Sequence, residues 1–391
     1  MNNGCLGTHY SFIPMRTHYQ YIIIGAGCAG LQLADALLKE TTLNTGSILI
    51  VEANPHHEPK TWCFWQHSDH PFQHLVKKTW NKIAFGAPGI AVASTLNNLS
   101  YQYISSTDFF SHQMELLQHD ARVDFVYKKV NTVECINNIP QVSLDTGIIT
   151  ADYIFYSHPI GEPLRTPTLW QHFLGWEIET TEPVFVEDTA TMMDFSLTDI
   201  RDAVFFHYLL PFTPTNALVE CTFFSEELVD RSVYEALLTR YIEQYIRVPF
   251  TIRAKEEGKI PMALTANYIH VGSSKIIPIG TAAGCIKAST GYSFTRCMKH
   301  TQQIIDWLKS GSPMQIPLSS KRFLFYDRLF LSLIQQYPSR MPGIFAALFK
   351  NNPVNTILQF LDEDTSLWQE ALIFLRLPQK YFLKVLLNTK R

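Results

Sequence analysis

Three glycines in the run Gly25-Ala-Gly27-Cys-Ala-Gly30 have the types and spacing needed to hold a pyrophosphate. In such a GxGxxG pattern the first glycine makes a tight turn, the second lets the backbone approach the phosphates, and the third lets a helix pack closely on a strand. The anion then rests on the helix N-terminus, where free N–H groups and the helix dipole favour negative charge. Glu52 follows the third glycine by 22 residues and ends the apolar run Ile48 to Val51, which is the spacing of an acid that accepts from ribose hydroxyls. A second apolar run into glycines, Ile276 to Gly280 followed by Thr281-Ala-Ala-Gly284, lies far downstream. Two such junctions separated by a large insertion favour FAD over a nicotinamide as the bound dinucleotide, because a flavin also needs backbone donors near its inner phosphate and ring.

The elements that must position these residues follow from periodicity. Tyr19 to Ile24 reads as a buried strand, and Leu31, Leu33, Ala34, Leu37 and Leu38 fall at helical spacing after the glycines, so the first unit is βαβ. Further expectations are a helix over Thr107 to Gln118, strands near Val123 to Tyr127 and Asp152 to Tyr156, and two short strands between Val130 and Leu144. Residues 160–271 change character to Pro-punctuated β-like runs, such as Ala203 to Phe206 and Ala217 to Phe224, followed by a helix from about Val229 to Ile246. A helix ending near Lys309 follows the second glycine junction, and the remainder looks helical with breaks at Pro338, Pro342, Pro353 and Pro378. The expected architecture is α/β, a Rossmann-like FAD-binding domain with an inserted β-rich substrate domain and a helical C-terminal part. The FAD-binding domain is discontinuous, over 18–58, 104–158 and 272–308; the substrate domain takes 59–103 and 159–271; the helical part is 309–391.

Composition narrows the class. The 391 residues are 46% apolar and 13% aromatic but only 17% charged, against the ~25% charged of an ordinary soluble domain. A formal charge of −3 leaves no global basic field, so a nucleic-acid partner is not expected. Seven scattered cysteines, with no CxxC pair and no HExxH, indicate neither a disulfide framework nor a metal site. No signal peptide and no membrane span are expected. Charge is unevenly placed, however: from Thr301 to Arg391 there are eleven Lys and Arg against six acids. Within Leu375 to Arg391 basic residues interleave with Leu377, Tyr381, Phe382, Leu383, Val385, Leu386 and Leu387, with no acid. That is the composition of a helix lying on an anionic bilayer surface, and equally of a terminal helix docked on the core with a solvated basic face.

Several blocks, in order, resemble lycopene β-cyclases, the bacterial carotenoid ring-forming flavoproteins. They are Lys60-Thr-Trp-Cys-Phe-Trp65, Trp170-Gln-His-Phe173, Gly175-Trp176, Met193-Asp-Phe195, Leu218-Val-Glu-Cys-Thr222, Ile277 to Gly284, Ser289-Thr-Gly-Tyr292 and Leu361-Asp-Glu363. The chain departs from the family pattern at Cys221, where a second acid is common, and at Gln66, where an acid commonly follows the aromatic block. The resemblance implies FAD active in its reduced form, NADPH or NADH as reductant, and lycopene or other acyclic carotenoid ends as substrate. It implies a redox-neutral isomerisation: a ψ end is protonated, the neighbouring double bond attacks the cation, and a ring proton is lost to leave a β-ionone ring.

That chemistry needs a strong acid kept dry, aromatic faces beside a cation, and exclusion of water. Glu220 is the candidate acid or its electrostatic partner. Strand alternation puts it on one face with Leu218, Thr222 and Phe224, and without the resemblance it would read as a carboxylate on a half-exposed sheet face. Trp62, Phe64 and Trp65 are candidates for lining a substrate tunnel, or else plain core. An enzyme acting on lycopene belongs at the membrane that stores it, here the cytoplasmic face of the cell membrane. The rival readings are a monooxygenase or prenyl-chain reductase acting on a lipid, and a non-enzymatic flavin- or carotenoid-binding protein.

Overall fold

A computed structural model describes residues 16–67, 69–157, 169–197, 203–264, 273–311 and 318–388. The strands are β1 (His18–Ile24), β2 (Ile48–Glu52), β3 (Thr61–Gln66), β4 (Val76–Trp80), β5 (Lys82–Ala87), β6 (Ile90–Thr95), β7 (Ser100–Ser105), β8 (Val123–Tyr127), β9 (Thr132–Ile136), β10 (Ile139–Leu144), β11 (Gly147–Tyr156), β12 (Leu169–Thr180), β13 (Thr189–Asp194), β14 (Val204–Pro211), β15 (Asn216–Ser225), β16 (Phe250–Met262) and β17 (Ile276–Pro278). The helices are α1 (Cys28–Lys39), α2 (Ser106–Gln118), α3 (Arg231–Tyr241), α4 (Phe294–Ser310), α5 (Lys321–Gln336), α6 (Met341–Asn351), α7 (Val354–Leu361), α8 (Leu367–Leu375) and α9 (Gln379–Asn388).

The first sheet runs β8-β2-β1-β11-β10-β9, with β17 added alongside β11. Its strands β8, β2, β1, β11 and β17 are parallel, and Ile22, Ile23, Leu49 and Ile50 are completely buried. Strands with both faces covered need continuous apolar runs, which is why Tyr21 to Ile24 and Ile48 to Val51 carry no polar alternation. The second sheet, β16-β12-β15-β14-β13-β5-β6, is antiparallel except for the β13–β5 pair. A small third sheet, β3-β7-β4, joins them. Residues 61–105 thus divide between the second and third sheets.

The inner strand β15 of the second sheet is covered on both sides. Val219, Cys221 and Phe223 of β15 pack under Tyr234, Leu237, Leu238 and Tyr241 of α3, whose last turn widens into a π-helical turn at Ile242–Ile246. Leu218 and Phe224, on the other face of β15, join a core built with α5, α6 and α7. The half-exposed sheet face that the alternation of β15 allowed is therefore absent.

Two local expectations change. Pro342 does not separate helices; it sits in the first turn of α6, where its missing N–H has no intrahelical partner to lose. The long strand β16 was not resolved in the sequence, because Arg253-Ala-Lys-Glu-Glu-Gly258 looks like a solvated charged run. The segment from Leu375 to Asn388 docks on the core, as one of its two readings expected. Val385 is buried and Tyr381, Phe382 and Leu386 pack on the core, while Leu375, Leu383 and Leu387 stay exposed beside Lys380 and Lys384. Lys390 and Arg391 lie outside the described residues.

A buried ion network ties the loop after β17 to the C-terminal helices. Lys287 Nζ lies 3.0 Å from Asp327 Oδ1 and 2.9 Å from Glu363 Oε1, and the Arg296 guanidinium donates to the same Glu363 oxygen at 2.9 Å. Burial alone would raise the Glu363 carboxyl, but the Lys287 and Arg296 charges hold it below its ordinary range. Removing one partner from such a network leaves a buried charge uncompensated, so its geometry is strongly enforced.

Candidate active site

The glycine junction at the top of the first sheet separates into three roles. Gly25 has φ +103°, and a Cβ there would fall 2.0 Å from Ser157 Oγ. A Cβ on Gly30 would lie 1.9 Å from the Gly25 carbonyl oxygen, so only glycine permits that helix–strand approach. At Gly27 a Cβ would meet nothing within 4 Å, and the residue precedes α1 with no side chain capping the helix. The open space and free N–H groups therefore coincide at Gly27, where an anion would rest. Glu52 at the end of β2 accepts from the Ala26 N–H at 2.7 Å and from the Asn54 N–H at 2.8 Å, which fixes its carboxylate beside the glycine turn.

The second junction packs directly on the first. Gly280 has φ +53°, and its Cβ position is 3.0 Å from Ala29 Cβ and 3.4 Å from Ser157 Cβ. Gly284 also has positive φ, +71°, and Thr281 between them is half-buried. All the residues proposed to hold the dinucleotide, Gly25, Gly27, Gly30, Glu52, Gly280, Thr281 and Gly284, are thus on elements gathered at one end of the parallel sheet. They fit a dinucleotide: the turn glycines are sterically required, and the one position that is not borders open space.

From this junction a cavity of about 310 Å³ reaches to the second sheet, with Cys28 of α1 and Ser293 before α4 on its wall, and Glu220 and Glu256 on the sheet side. Its aromatic wall includes Trp62, Tyr101, Tyr208, Tyr292 and Phe294. Tyr101 and Tyr292 share a hydrogen bond at 3.1 Å between their hydroxyls. A second cavity of about 120 Å³, almost wholly apolar, continues from Tyr208, Thr290 and Tyr292 into the C-terminal helices, among them Phe330, Phe345 and Phe374. The three shared residues make the two spaces adjoin.

Glu220 lines the larger cavity beside Tyr208, one of the three shared residues. Its strand face is the one expected, with Leu218, Thr222 and Phe224, and its partner on β14 is Tyr208. Burial first, then the charge of Glu256, pushes its carboxyl up to about 8, against a weaker downward pull from the Thr222 hydroxyl, which donates at 2.6 Å, and from Lys60. A carboxyl in this environment keeps its proton at neutral pH.

The aromatic block is divided. Trp62 reaches the larger cavity and packs against Phe109, Phe110 and Phe294. Phe64 instead stacks on Phe294 with ring centroids 4.7 Å apart, and Trp65, on the opposite face of β3, packs edge-on to Tyr292 at 4.8 Å. Both are core residues and line neither of these two cavities. Glu256, Tyr101, Tyr208 and Tyr292 were not singled out from sequence. Tyr292 ends one of the resembling blocks, but Glu256 is hidden within a charged run. Among the described residues no group of His, Cys, Asp and Glu could hold a metal ion, and no helix is long and apolar enough to cross a membrane.

Comparison with known proteins matches the family model described as lycopene cyclase protein over residues 20–387. The chain belongs to this family. It is 34% identical over 159 residues to a lycopene beta-cyclase of Paracoccus sp., an alignment covering 39% of this chain and 39% of the Paracoccus protein. Solved structures share the fold at low identity. HpxO of Klebsiella pneumoniae, complexed with FAD and uric acid, superposes with a TM-score of 0.60 at 12% identity over 88% of this chain and 96% of its own. A geranylgeranyl bacteriochlorophyll reductase-like protein of Thermoplasma acidophilum gives 0.54 at 12% identity over 94% and 95%. The lycopene cyclase family member described here therefore has the flavoprotein α/β fold, with a Rossmann-like βαβ unit at its start.

Two outcomes follow from this geometry. Gly27→Val should leave the apoprotein as stable as wild type to thermal unfolding yet sharply lower its flavin content, read as absorbance of purified protein; full flavin occupancy would show that the cradle holds no pyrophosphate. For Glu220, the folded carboxyl holds its proton to about pH 8 and the unfolded one releases it near its ordinary 4.5, so the folded state binds more protons between these values and loses stability as pH rises through that window. Glu220→Gln should consequently be more stable than wild type at pH 8, by on the order of a few kcal/mol, with the advantage vanishing towards pH 4 in urea titrations.

Proposed function

We propose that this family member is a lycopene β-cyclase that converts acyclic ψ ends of lycopene to β-ionone rings, giving γ-carotene and β-carotene. The observation carrying this reading is a buried carboxyl, Glu220, on the wall of the glycine-junction cavity beside Tyr208, which that cavity shares with the apolar one; burial favours its protonated form. A polyene end lying in the apolar space would pass alongside Tyr208 and Tyr292, whose hydroxyls are bonded to each other, to reach it. Glu220 delivers its proton to the terminal double bond, and the tertiary cation that forms is attacked by the neighbouring double bond. A ring proton is then lost to the carboxylate left on Glu220, which regenerates the acid and leaves a neutral ring, so no electrons are transferred overall.

The residues present suit each demand. The Tyr101, Tyr208 and Tyr292 phenols are held neutral by burial, so they offer aromatic faces to a cation without an anionic oxygen that would capture it. The apolar walls keep out water, which would otherwise add to the cation and leave a hydroxylated end. Gly25, Gly27, Gly30, Glu52, Gly280, Thr281 and Gly284 would hold FAD, and α1 and α4 both begin at the cavity without side-chain caps, presenting their positive ends. FAD, kept reduced by NADPH or NADH, would supply an electron-rich flavin to the site. A monooxygenase or a prenyl-chain reductase on the same fold would consume nicotinamide with product; anaerobic turnover without net nicotinamide loss favours the cyclase.

Pigment analysis in lycopene-accumulating bacteria tests the acid. Glu220→Gln should retain flavin and fold but lose cyclisation by a thousandfold or so, equivalent to about 4 kcal/mol of barrier. Near wild-type β-carotene from this variant would place the acid elsewhere.

We further propose that the enzyme sits peripherally on the cytoplasmic face of the cell membrane. Leu367, Trp368, Leu375, Leu383 and Leu387 project from α8 and α9, each at least half exposed, and Lys380 and Lys384 stand among them. The helices bearing this face also wall the apolar cavity, which suits a substrate arriving from lipid. Leu383→Glu with Leu387→Glu should shift the folded protein from liposomes containing anionic lipid towards the soluble fraction. Unchanged co-sedimentation would remove these helices as the attachment.

A further inference from the structure

We propose that Glu256 pairs with Glu220 across Gly175, the two carboxyls holding one proton between them with Glu220 as its seat, so that Glu256 is a positioning residue for the acid. This rests on the reading of Glu220 as proton donor.

The register sets the pair. β12 lies between β15 and β16, and Gly175 on β12 is directly opposite both Glu220 and Glu256. Residues directly opposite in antiparallel strands point to the same face, so both carboxyls rise from one side of the sheet into the same cavity. Any side chain on the middle strand would stand between them. A Cβ on Gly175 would already lie 3.3 Å from Glu256 Cγ and 3.5 Å from Glu220 Cβ, so glycine is what leaves the gap clear.

Two carboxylates in one water-poor site cannot both ionise cheaply, so the pair titrates as a unit. Hydrogen bonding decides which member keeps the charge. Burial, and more weakly the Glu177 charge, raise the Glu256 carboxyl as well, but its Oε2 accepts from the Thr61 N–H at 3.1 Å and from Thr61 Oγ1 at 2.5 Å, and these two bonds pull it back towards the carboxylate. Glu220 has the single Thr222 hydroxyl. The proton therefore resides on Glu220, beside Tyr208 of the apolar wall, and the negative charge on Glu256.

The other groups facing the pair do not supply the missing charge. Cys63, Tyr101, Tyr208 and Tyr292 are pushed upward by burial and stay neutral near pH 7. Lys60, anchored by the Glu257 carbonyl and by Glu58 at 3.3 Å, lowers both carboxyls and partly offsets the pair. Glu177, two residues along β12, is engaged by Asn216 at 3.1 Å, and the Lys259 ammonium lies over Trp170. A second acid is thus present in space, although Cys221 occupies the adjacent position in sequence.

The test is the pH dependence of cyclisation by FAD-loaded, reduced enzyme in lycopene-containing liposomes, with flavin content and infrared titration of the carboxyl band on the same samples. Glu256→Gln removes the charge that retains the proton, so the high-pH limb should move down by a unit or more. The rate at pH 8 should fall about tenfold relative to that at pH 6, with flavin content unchanged. Glu256→Asp, which keeps the charge on a shorter arm and disturbs packing least, should move both the limb and the infrared titration the same way by less. Unmoved limbs and carboxyl bands in whichever of these variants fold would overturn the pairing. If Glu220→Gln is itself fully active, the acid assignment fails instead; if it is inactive while the Glu256 variants titrate like wild type, the pairing alone fails.

Discussion

Keeping one carboxyl away from water is the constraint on which the rest of this structure turns. A carboxyl on a strand facing solvent would ionise well below neutral pH, and the same group beneath two packed layers keeps its proton. Here both faces of β15 are covered, by α3 on one side and on the other by the walls of the larger cavity and the core built with α5 to α7. The cost of desolvating Glu220 is therefore imposed by the whole architecture and not by one neighbour. Removing the covering helices would return the site to ordinary carboxylate chemistry.

The same covering layer creates the apolar space. The C-terminal helices contribute few charges to it, and those that come near, Lys287 and Asp327, neutralise one another together with Glu363 and Arg296. This network joins the loop after the second glycine junction to the helices that wall the apolar cavity. Cofactor cradle and cavity are consequently held in one frame, with Tyr208, Thr290 and Tyr292 at their common boundary. The fold neighbours bear similar frames at 12% identity, which agrees with a scaffold conserved in shape while the sites grafted on it vary.

The dinucleotide cradle was legible in the chain because its demands are local. A φ of +103° at Gly25, the 1.9 Å approach at Gly30 and the acid at the end of β2 are each satisfied within one βαβ unit, so residue type and spacing suffice to encode them. The pairing of Gly280 with this unit was legible for the same reason, since β17 repeats the strand-to-glycine pattern. The alternation of β15 correctly set the face of Glu220. It could not say whether that face met water, because burial depends on what arrives from residues more than a hundred positions away.

The sequence by itself determined the parallel βαβ start, the two glycine junctions, the strand face of Glu220 and the helical character of the C-terminal part, all of them consequences of short-range sterics and hydrophobic period. Tertiary structure alone decided three things. It separated Trp62, at the cavity, from Phe64 on the same strand face and Trp65 on the other, both in the core, because strand alternation sets neither how far along a face a cavity extends nor which layer the other face meets. It built the apolar cavity from β13, β14, β15 and the five helices α5 to α9, whose aromatic residues read individually as core. It also brought Glu256 opposite Glu220 through a strand between them, since the register of three strands sets which side chains share a gap, and no linear spacing of 36 residues encodes it.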